Sequence, residues 1–235
     1  EEFYKTINKT PFYKTTLENA ELIKVVYNTF ISTKIAMMNT IMETCHHLPN
    51  TDVDDVTEAL ALCTDRIISK KYLYGGMGDG GGCHPRDNIA LSYLAQKLNL
   101  SYNWYDNIMK QRENQTEWLA DLIIKHKGDK QINILGKCFK PETNITTGSP
   151  AILLKNILEE KGETVRMWDP WIDSADIMKI KDEFKWDKEP QLFFIGCKHE
   201  AFEQFYFMPD SVVIDPFRYL KVHNNVKYIP IGKNI

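Results

Sequence analysis

The sequence predicts a helical domain with a long connecting helix, followed by a small Rossmann-like parallel-sheet domain, an α + α/β architecture. Three observations lead there. Apolar residues recur at helical spacing as far as about residue 126. Beyond Gly128-Asp129, short apolar strands alternate with helices, the pattern of a parallel sheet covered on both faces. Between helices of the first part, six of the twelve glycines fall within the eight residues 75–82, and Cys83 follows directly.

Residues 1–14 read as a loop or the tail of an upstream element. Thr15-x-x-Glu18 has the form of a capping box, and a long helix should run from about Leu17 to Cys45. Leu22, Val25, Val26, Phe30, Ile35, Met38 and Met42 supply its apolar stripe. Shorter helices are expected over Val53–Leu62 and Arg66–Tyr74. After the glycine loop, helices follow over Asp87–Leu98 and Tyr102–His126. The strands expected in the second part are Ile132–Leu135, Val165–Trp168, Leu192–Ile195, Val212–Ile214 and Tyr228–Ile231. Helices are expected over Ser149–Lys161, where Ser149-Pro150 is a good cap and first-turn pair, and near Ser174–Lys181. The domains are therefore placed at 1–16 (the end of something upstream), 17–127 and 128–235.

The chain has 235 residues, 43% of them hydrophobic, enough for a real core. Its net charge of -3 and lack of like-charge blocks point away from nucleic acid and anionic membranes. No apolar run reaches the ~20 residues of a membrane span. The start, Glu1-Glu2-Phe3-Tyr4-Lys5, has no secretory pattern and no initiator methionine, which points to a chain beginning inside a longer product. Cysteines at 45, 63, 83, 138 and 197 form no Cys-x-x-Cys pair. They read as reduced thiols of a cytoplasmic protein, with no metal site, and all but Cys83 as small packing residues.

The chemistry concentrates at the glycine loop. Glycines let a backbone approach a ligand closely, so a thiol behind them sits where a small molecule would touch it. Cys83 thus reads equally as a surface thiol and as a nucleophile. Asp87 is either a helix cap or a proton-handling carboxylate. Lys24 and Asn28 share a helix face, where a lysine either snorkels to water or joins the amide in meeting an oxyanion. In the α/β part, Gly136-Lys137-Cys138-Phe139-Lys140 follows the first strand and is not a Gly-x-Gly-x-x-Gly fingerprint. Asp169 ends the second strand, where an acid meets a ribose in some such folds and where Asp-Pro is also ordinary turn chemistry.

These pieces, Ala20–Asn28, Gly76–Asp87, Gly136–Pro141, Ser149-Pro150-Ala151 and Trp168-Asp169-Pro170, resemble in order and spacing the central and C-terminal domains of the UDP-glucose/GDP-mannose dehydrogenases. The loop length is most similar to the branch acting on UDP-N-acetylhexosamines. The resemblance implies two-step oxidation of a UDP-sugar at C6 with NAD. Cys83 would form a thiohemiacetal and then a thioester, Lys24 and Asn28 would stabilise the C6 oxygen, and Asp87 would manage protons and water. Gly78, Gly80 and Gly81 would pack on the sugar, and Phe139, Lys140 and Arg218 would hold the nucleotide sugar. Arg66 would reach it across a dimer interface. A homodimer through the central helices is implied.

Several positions depart from that pattern. The N-terminal NAD-binding domain, with its Gly-x-Gly-x-x-Gly, is not in this sequence. Thr147 stands where an arginine would help hold the cofactor, and Asp79 and Gly82 replace apolar, serine or histidine residues. The leading expectation is the substrate-binding, cysteine-bearing portion of an NAD-dependent UDP-sugar 6-dehydrogenase, inactive by itself. Two rivals are a non-catalytic nucleotide-sugar-binding or dimerisation remnant, and a cysteine acyl-transfer enzyme built on Cys83 and a histidine.

Overall fold

The computed structural model describes the chain except residues 1, 22, 25–29, 31–32, 35–36, 38–40, 43, 46–47, 68–74, 79–82, 174–183, 187, 224, 233–235 and the side chain of Cys83. It comprises two compact units, Glu1–Cys63 and Thr64–Ile235.

The first unit is helical. A one-turn helix α1 (Glu2–Lys5) occupies a stretch expected as loop; Thr6 closes it by donating its hydroxyl to the Phe3 carbonyl at 2.6 Å. Residues 17–21 begin the expected long helix, and the described residues 23, 24, 30, 33, 34, 37, 41, 42, 44 and 45 continue helical. Its cap is Thr16, whose hydroxyl accepts from Asn19 N at 3.3 Å, so the helix starts one residue later than a Thr15 box implies. Helix α2 (Val53–Ala61) starts at Asp52, whose carboxylate accepts from Asp54 N.

In the second unit, the described part of the expected 66–74 helix is turn, and the rest lies outside the described residues. Helix α3 (Cys83–Lys97) begins four residues before Asp87. The reason is Pro85: in the first turn its missing N–H costs nothing and its fixed φ suits a helix, so the helix forms ahead of it. Asp87 is therefore one turn inside the helix rather than at its cap. Helix α4 (Trp104–Lys127) starts at Asn103, which accepts from Asp106 N and donates to Ser92 Oγ at 2.9 Å, tying α4 to α3.

The strands are β1 (Ile132–Leu135), β2 (Val165–Trp168), β3 (Leu192–Ile195), β4 (Val212–Asp215) and β5 (Lys227–Pro230), with helix α5 (Pro150–Glu160) between β1 and β2 and a 3-10 turn at Glu200–Gln204. All pair in parallel, in the order β2-β1-β3-β4-β5, with Ile132 opposite both Val165 and Leu192. The helix expected near Ser174–Lys181 lies outside the described residues.

The three central strands β1, β3 and β4 are buried on both faces, so they read as largely apolar runs rather than alternating ones. Leu192 and Phe194 of β3 point to the side covered by Leu119, Ala120 and Ile123 of α4 and Leu154 and Leu158 of α5. Phe193 and Ile195 point to an aromatic layer of Trp168, Trp186, Phe202, Phe205 and Phe207. Trp186 lies edge-on to Phe205 at 5.1 Å and to Trp168 at 5.8 Å between centroids. Its indole N–H donates to buried Asn133 at 3.1 Å, and Asn133 in turn donates to Gln191 at 2.7 Å.

Candidate functional site

The carboxyl ends of the strands carry the loops of interest, and each loop is built on a buried aspartate. Asp215 closes β4 and is fully buried. Its Oδ1 accepts from the backbone N–H of Phe217 (2.8 Å) and Arg218 (2.9 Å). Its Oδ2 accepts from Tyr219 N, Leu220 N and the Tyr228 hydroxyl at 2.8–3.1 Å. These bonds hold Arg218 at φ +60, a left-handed conformation that a residue with a Cβ adopts only when its surroundings require it.

Arg218 then reaches the glycine loop. Its guanidinium donates to Gly75 O at 2.6 Å, to Ile231 O at 3.0 Å and to Pro216 O. The loop is seated at three more points. Gln115 of α4 donates to Gly76 O at 3.2 Å, and Met77 packs against the core on the helical side of the sheet. Gly78, at φ +76, lies so close to Pro150 that a Cβ there would meet the ring at 2.8 Å. A side chain at 78 is excluded by both backbone and space.

The second loop leaves β1. Asp169, just past β2 and fully buried, accepts from the N–H of Lys137 (2.6 Å), Cys138 (3.0 Å) and Trp171 (2.8 Å). It does not offer itself to a ribose; its oxygens point inward. Burial acts to raise its pKa, but the hydrogen bonds from His199 and from these amides outweigh that and hold the carboxyl well below the usual range. The loop presents Phe139, half-buried, and Lys140, exposed, with the ammonium 5.3 Å from the Phe139 ring centroid.

The sequence-derived residues fall as follows. Gly78 and Arg218 belong to loops that the structure brings together. Phe139 and Lys140 lie on the β1 loop, and exposed Thr147 lies in the turn before α5. Cys83 is the first residue of α3, where free N–H groups and the positive end of the helix dipole gather. Asp87 is exposed and pairs with Arg86 at 3.1 Å. Lys24 is helical and exposed in the first unit, and Arg66 is in an exposed turn. Asn28, Gly80 and Gly81 lie outside the described residues. Sequence reasoning missed Gln115, Phe217 (whose ring lies against Gly76), Asp215 and His199. Only the Asp-x-x-Arg spacing of 215–218 offered a signal.

The cysteines divide by burial. Cys138 and Cys197 are buried and pack as expected; burial pushes both thiols up to about 12. Cys45 is intermediate, and Cys63 is exposed, contrary to the packing role expected of it. Among the described residues, Cys138, Asp169 and His199 bring three metal-ligand atoms within 4.8 Å of one another.

The five-stranded parallel sheet with strand order 2-1-3-4-5 makes this an α/β protein of the open-sheet class, in which ligands bind beyond the carboxyl ends of the strands. Residues 18–114 match the sequence model of the UDP-glucose/GDP-mannose dehydrogenase family, central domain. UDP-glucose 6-dehydrogenase TuaD of Bacillus subtilis (strain 168) is 33% identical over 163 residues, 68% of this chain and 35% of that protein. UDP-glucose 6-dehydrogenase of Rhizobium meliloti (strain 1021) is 32% identical over 168 residues, 70% of this chain and 38% of that one. Among solved structures, a ternary complex of GDP-mannose dehydrogenase from Pseudomonas aeruginosa matches the fold with a TM-score of 0.76 at 23% identity, over 91% of this chain and 53% of that one. The chain belongs to the UDP-glucose/GDP-mannose dehydrogenase family. It spans little more than a third of the length of these two sequence relatives. Among the described residues no helix is long and apolar enough to cross a membrane.

Proposed function

We propose that this chain is the substrate-binding and catalytic-cysteine portion of an NAD-dependent UDP-sugar 6-dehydrogenase, with residues 17–127 as its central domain and 128–235 as its UDP-sugar-binding domain. The observation that carries the reading is the seating of the glycine loop. Arg218, Gln115 and Pro150 hold residues 75–78 against the carboxyl edge of the sheet, and Cys83 follows five residues later at a helix start. A helix N-terminus favours the thiolate, the reactive form of cysteine. At the aldehyde stage the Cys83 sulfur adds to C6 and the carbonyl oxygen takes a proton. At the thioester stage water adds to C6 and the C–S bond breaks, which returns the thiolate. Lys24 and Asn28 are assigned to the C6 oxygen and Asp87 to the attacking water. Gly78, Gly80 and Gly81 are assigned to the sugar, and Phe139, Lys140, Arg218 and Arg66 to the nucleotide sugar.

The described residues do not fit NAD. The turn after β1 carries no Gly-x-Gly-x-x-Gly, and Gly136 is closed against Cys197, where a Cβ would lie 2.6 Å from the Cys197 backbone nitrogen. Thr147 alone is no dinucleotide site, and the two oxidations, alcohol to aldehyde before the first sulfur stage and thiohemiacetal to thioester between the two, are assigned to none of these residues. That same misfit favours the second reading, a nucleotide-sugar-binding or dimerisation remnant. A strand–Gly-x-Gly-x-x-Gly–helix encoded upstream of Glu1 would decide for the enzyme. Exposed Leu17, Ile23, Phe30 and Met42 on the long helix support a homodimer through the central helices, and a cytoplasmic setting fits the free thiols.

The test is thermal unfolding of the chain with UDP, UDP-glucose, UDP-N-acetylglucosamine and NAD, each separately. A ligand at 100 times its Kd stabilises by about 2.7 kcal/mol. Stabilisation by a UDP compound but not by NAD is the expected result; no shift with any UDP compound counts against the reading.

A further inference from the structure

Asp169, His199 and Cys138 stand just beyond β2, β3 and β1, and all three are buried. Their place in the fold is not used by any step proposed above. His199 Nε2 lies 3.2 Å from Asp169 Oδ2, while His199 Nδ1 accepts the N–H of Glu142 at 3.3 Å. Those two partners assign the ring proton to Nε2. The same Asp169 oxygen accepts from Lys137 N and Cys138 N. One imidazole thus links the carboxylate that fixes the start of the 136–142 loop to the amide at its end. Between those ends the loop has no strand or helix, and it carries Phe139 and Lys140. The His199 carbonyl accepts from the Tyr219 hydroxyl at 3.0 Å, which joins it to the neighbouring Arg218 loop.

The three side chains also have the composition of a thiolate–imidazole–carboxylate metal centre. Two observations turn the reading away from metal. The ligand atoms are already hydrogen-bonded within the protein, the Asp169 oxygen three times over. A cation would have to break the Asp–His bond and ionise a thiol whose burial opposes ionisation.

We propose that the buried Asp169–His199 pair is a positioning device, holding the Gly136–Glu142 loop so that Phe139 and Lys140 offer a fixed surface to a UDP-sugar. The role rests on the reading of Phe139 and Lys140 as substrate contacts. The holding of the loop is measurable without ligand.

The test compares the full chain with His199→Gln, whose amide can still donate to Asp169, and His199→Asn, whose oxygen can still accept from Glu142. Amide hydrogen exchange is followed residue by residue, and UDP and UDP-glucose affinities are measured by calorimetry. Both variants should raise exchange within 137–142 by roughly tenfold or more and leave the β1 and β3 strand amides unchanged. Gln should partly rescue the Lys137 and Cys138 amides, and Asn the Glu142 amide. UDP should bind roughly tenfold more weakly to both. Unchanged loop exchange, or a rise spread evenly over the sheet, would overturn the proposal; the Gln variant keeps the buried carboxylate paired, so that a folded comparison is secured. Unchanged UDP affinity in variants whose loop has loosened would overturn the positioning role alone. A wild-type chain that binds neither UDP nor UDP-glucose would overturn the substrate reading and the positioning role with it. Thiolate-to-cobalt charge-transfer absorption on adding Co2+, abolished by Cys138→Ser, would replace the device with a metal centre.

Discussion

The Asp215 carboxylate accepts five hydrogen bonds, and through them it sets the backbone of the residue whose guanidinium holds the glycine loop. Asp215→Asn keeps the shape but puts an amide N–H among donors. It should cost about 1.5–3 kcal/mol in urea unfolding, the range for hydrogen bonds to a charged group. Arg218→Lys keeps the charge but cannot span three carbonyls from one planar head. Faster hydrogen exchange over residues 75–78, with unchanged exchange in β4, is the expected outcome, and unchanged loop exchange would show that Arg218 does not hold the loop. Thiol reactivity gives a second check at this scale. Exposed Cys63 should react with iodoacetamide at neutral pH, whereas Cys138 and Cys197, buried and pushed up to about 12, should react only after unfolding. Peptide mass spectrometry of partly labelled chain reads this directly.

At the scale of elements, most boundaries were legible because their signals are local. β1, β2 and β3 coincide with their apolar runs, and α5 starts at Pro150 behind Ser149. β4 ends one residue later and β5 lies one residue earlier than expected. The error at α3 was four residues, because a carboxylate at 87 resembles a cap while the proline at 85 decides where the helix starts. The aromatic layer was not legible at all. Trp186 lies in no strand, yet it packs edge-on against four rings and donates to Asn133 in the middle of β1. Trp186→Phe keeps most of the ring contact and strands the Asn133 oxygen. A loss of about 1–3 kcal/mol, the desolvation penalty of an unpaired buried polar group, is expected in denaturant unfolding. Adding Asn133→Leu should recover part of it if the penalty is the unpaired amide, and a purely additive loss would refute that account.

For the whole molecule, two sets of buried groups shape the dependence of stability on pH. The Asp169 pKa is depressed in the folded chain, so between that value and the unfolded one, about 3.9, the unfolded state binds more protons. Its contribution is complete above about pH 4 and is lost as pH falls through the folded value. The Cys138 and Cys197 pKa values are raised, so their unfolded thiols ionise first, from about pH 8.5. Stability should therefore fall as pH rises from about 8.5 towards 12, and half-buried Tyr219 and Tyr228, shifted the same way, steepen the upper part. Urea midpoints from pH 3 to 11 should be highest in the middle, with the alkaline fall shallower in Cys138→Ser and Cys197→Ser; an alkaline limb unchanged in both would exclude these thiols as its source. The sequence by itself determined the helical and α/β parts, the strands, the family resemblance and the cysteine behind the glycine loop, because periodicity, caps and short motifs are written in neighbouring residues. Only the tertiary structure decided that Asp169 faces inward instead of towards a ribose, that Arg218 grips the backbone of Gly75, and that Gln115 and His199 take part in building these loops. Those outcomes depend on partners 31 to 143 positions apart in the chain, brought within hydrogen-bond reach only when five parallel strands align their carboxyl ends.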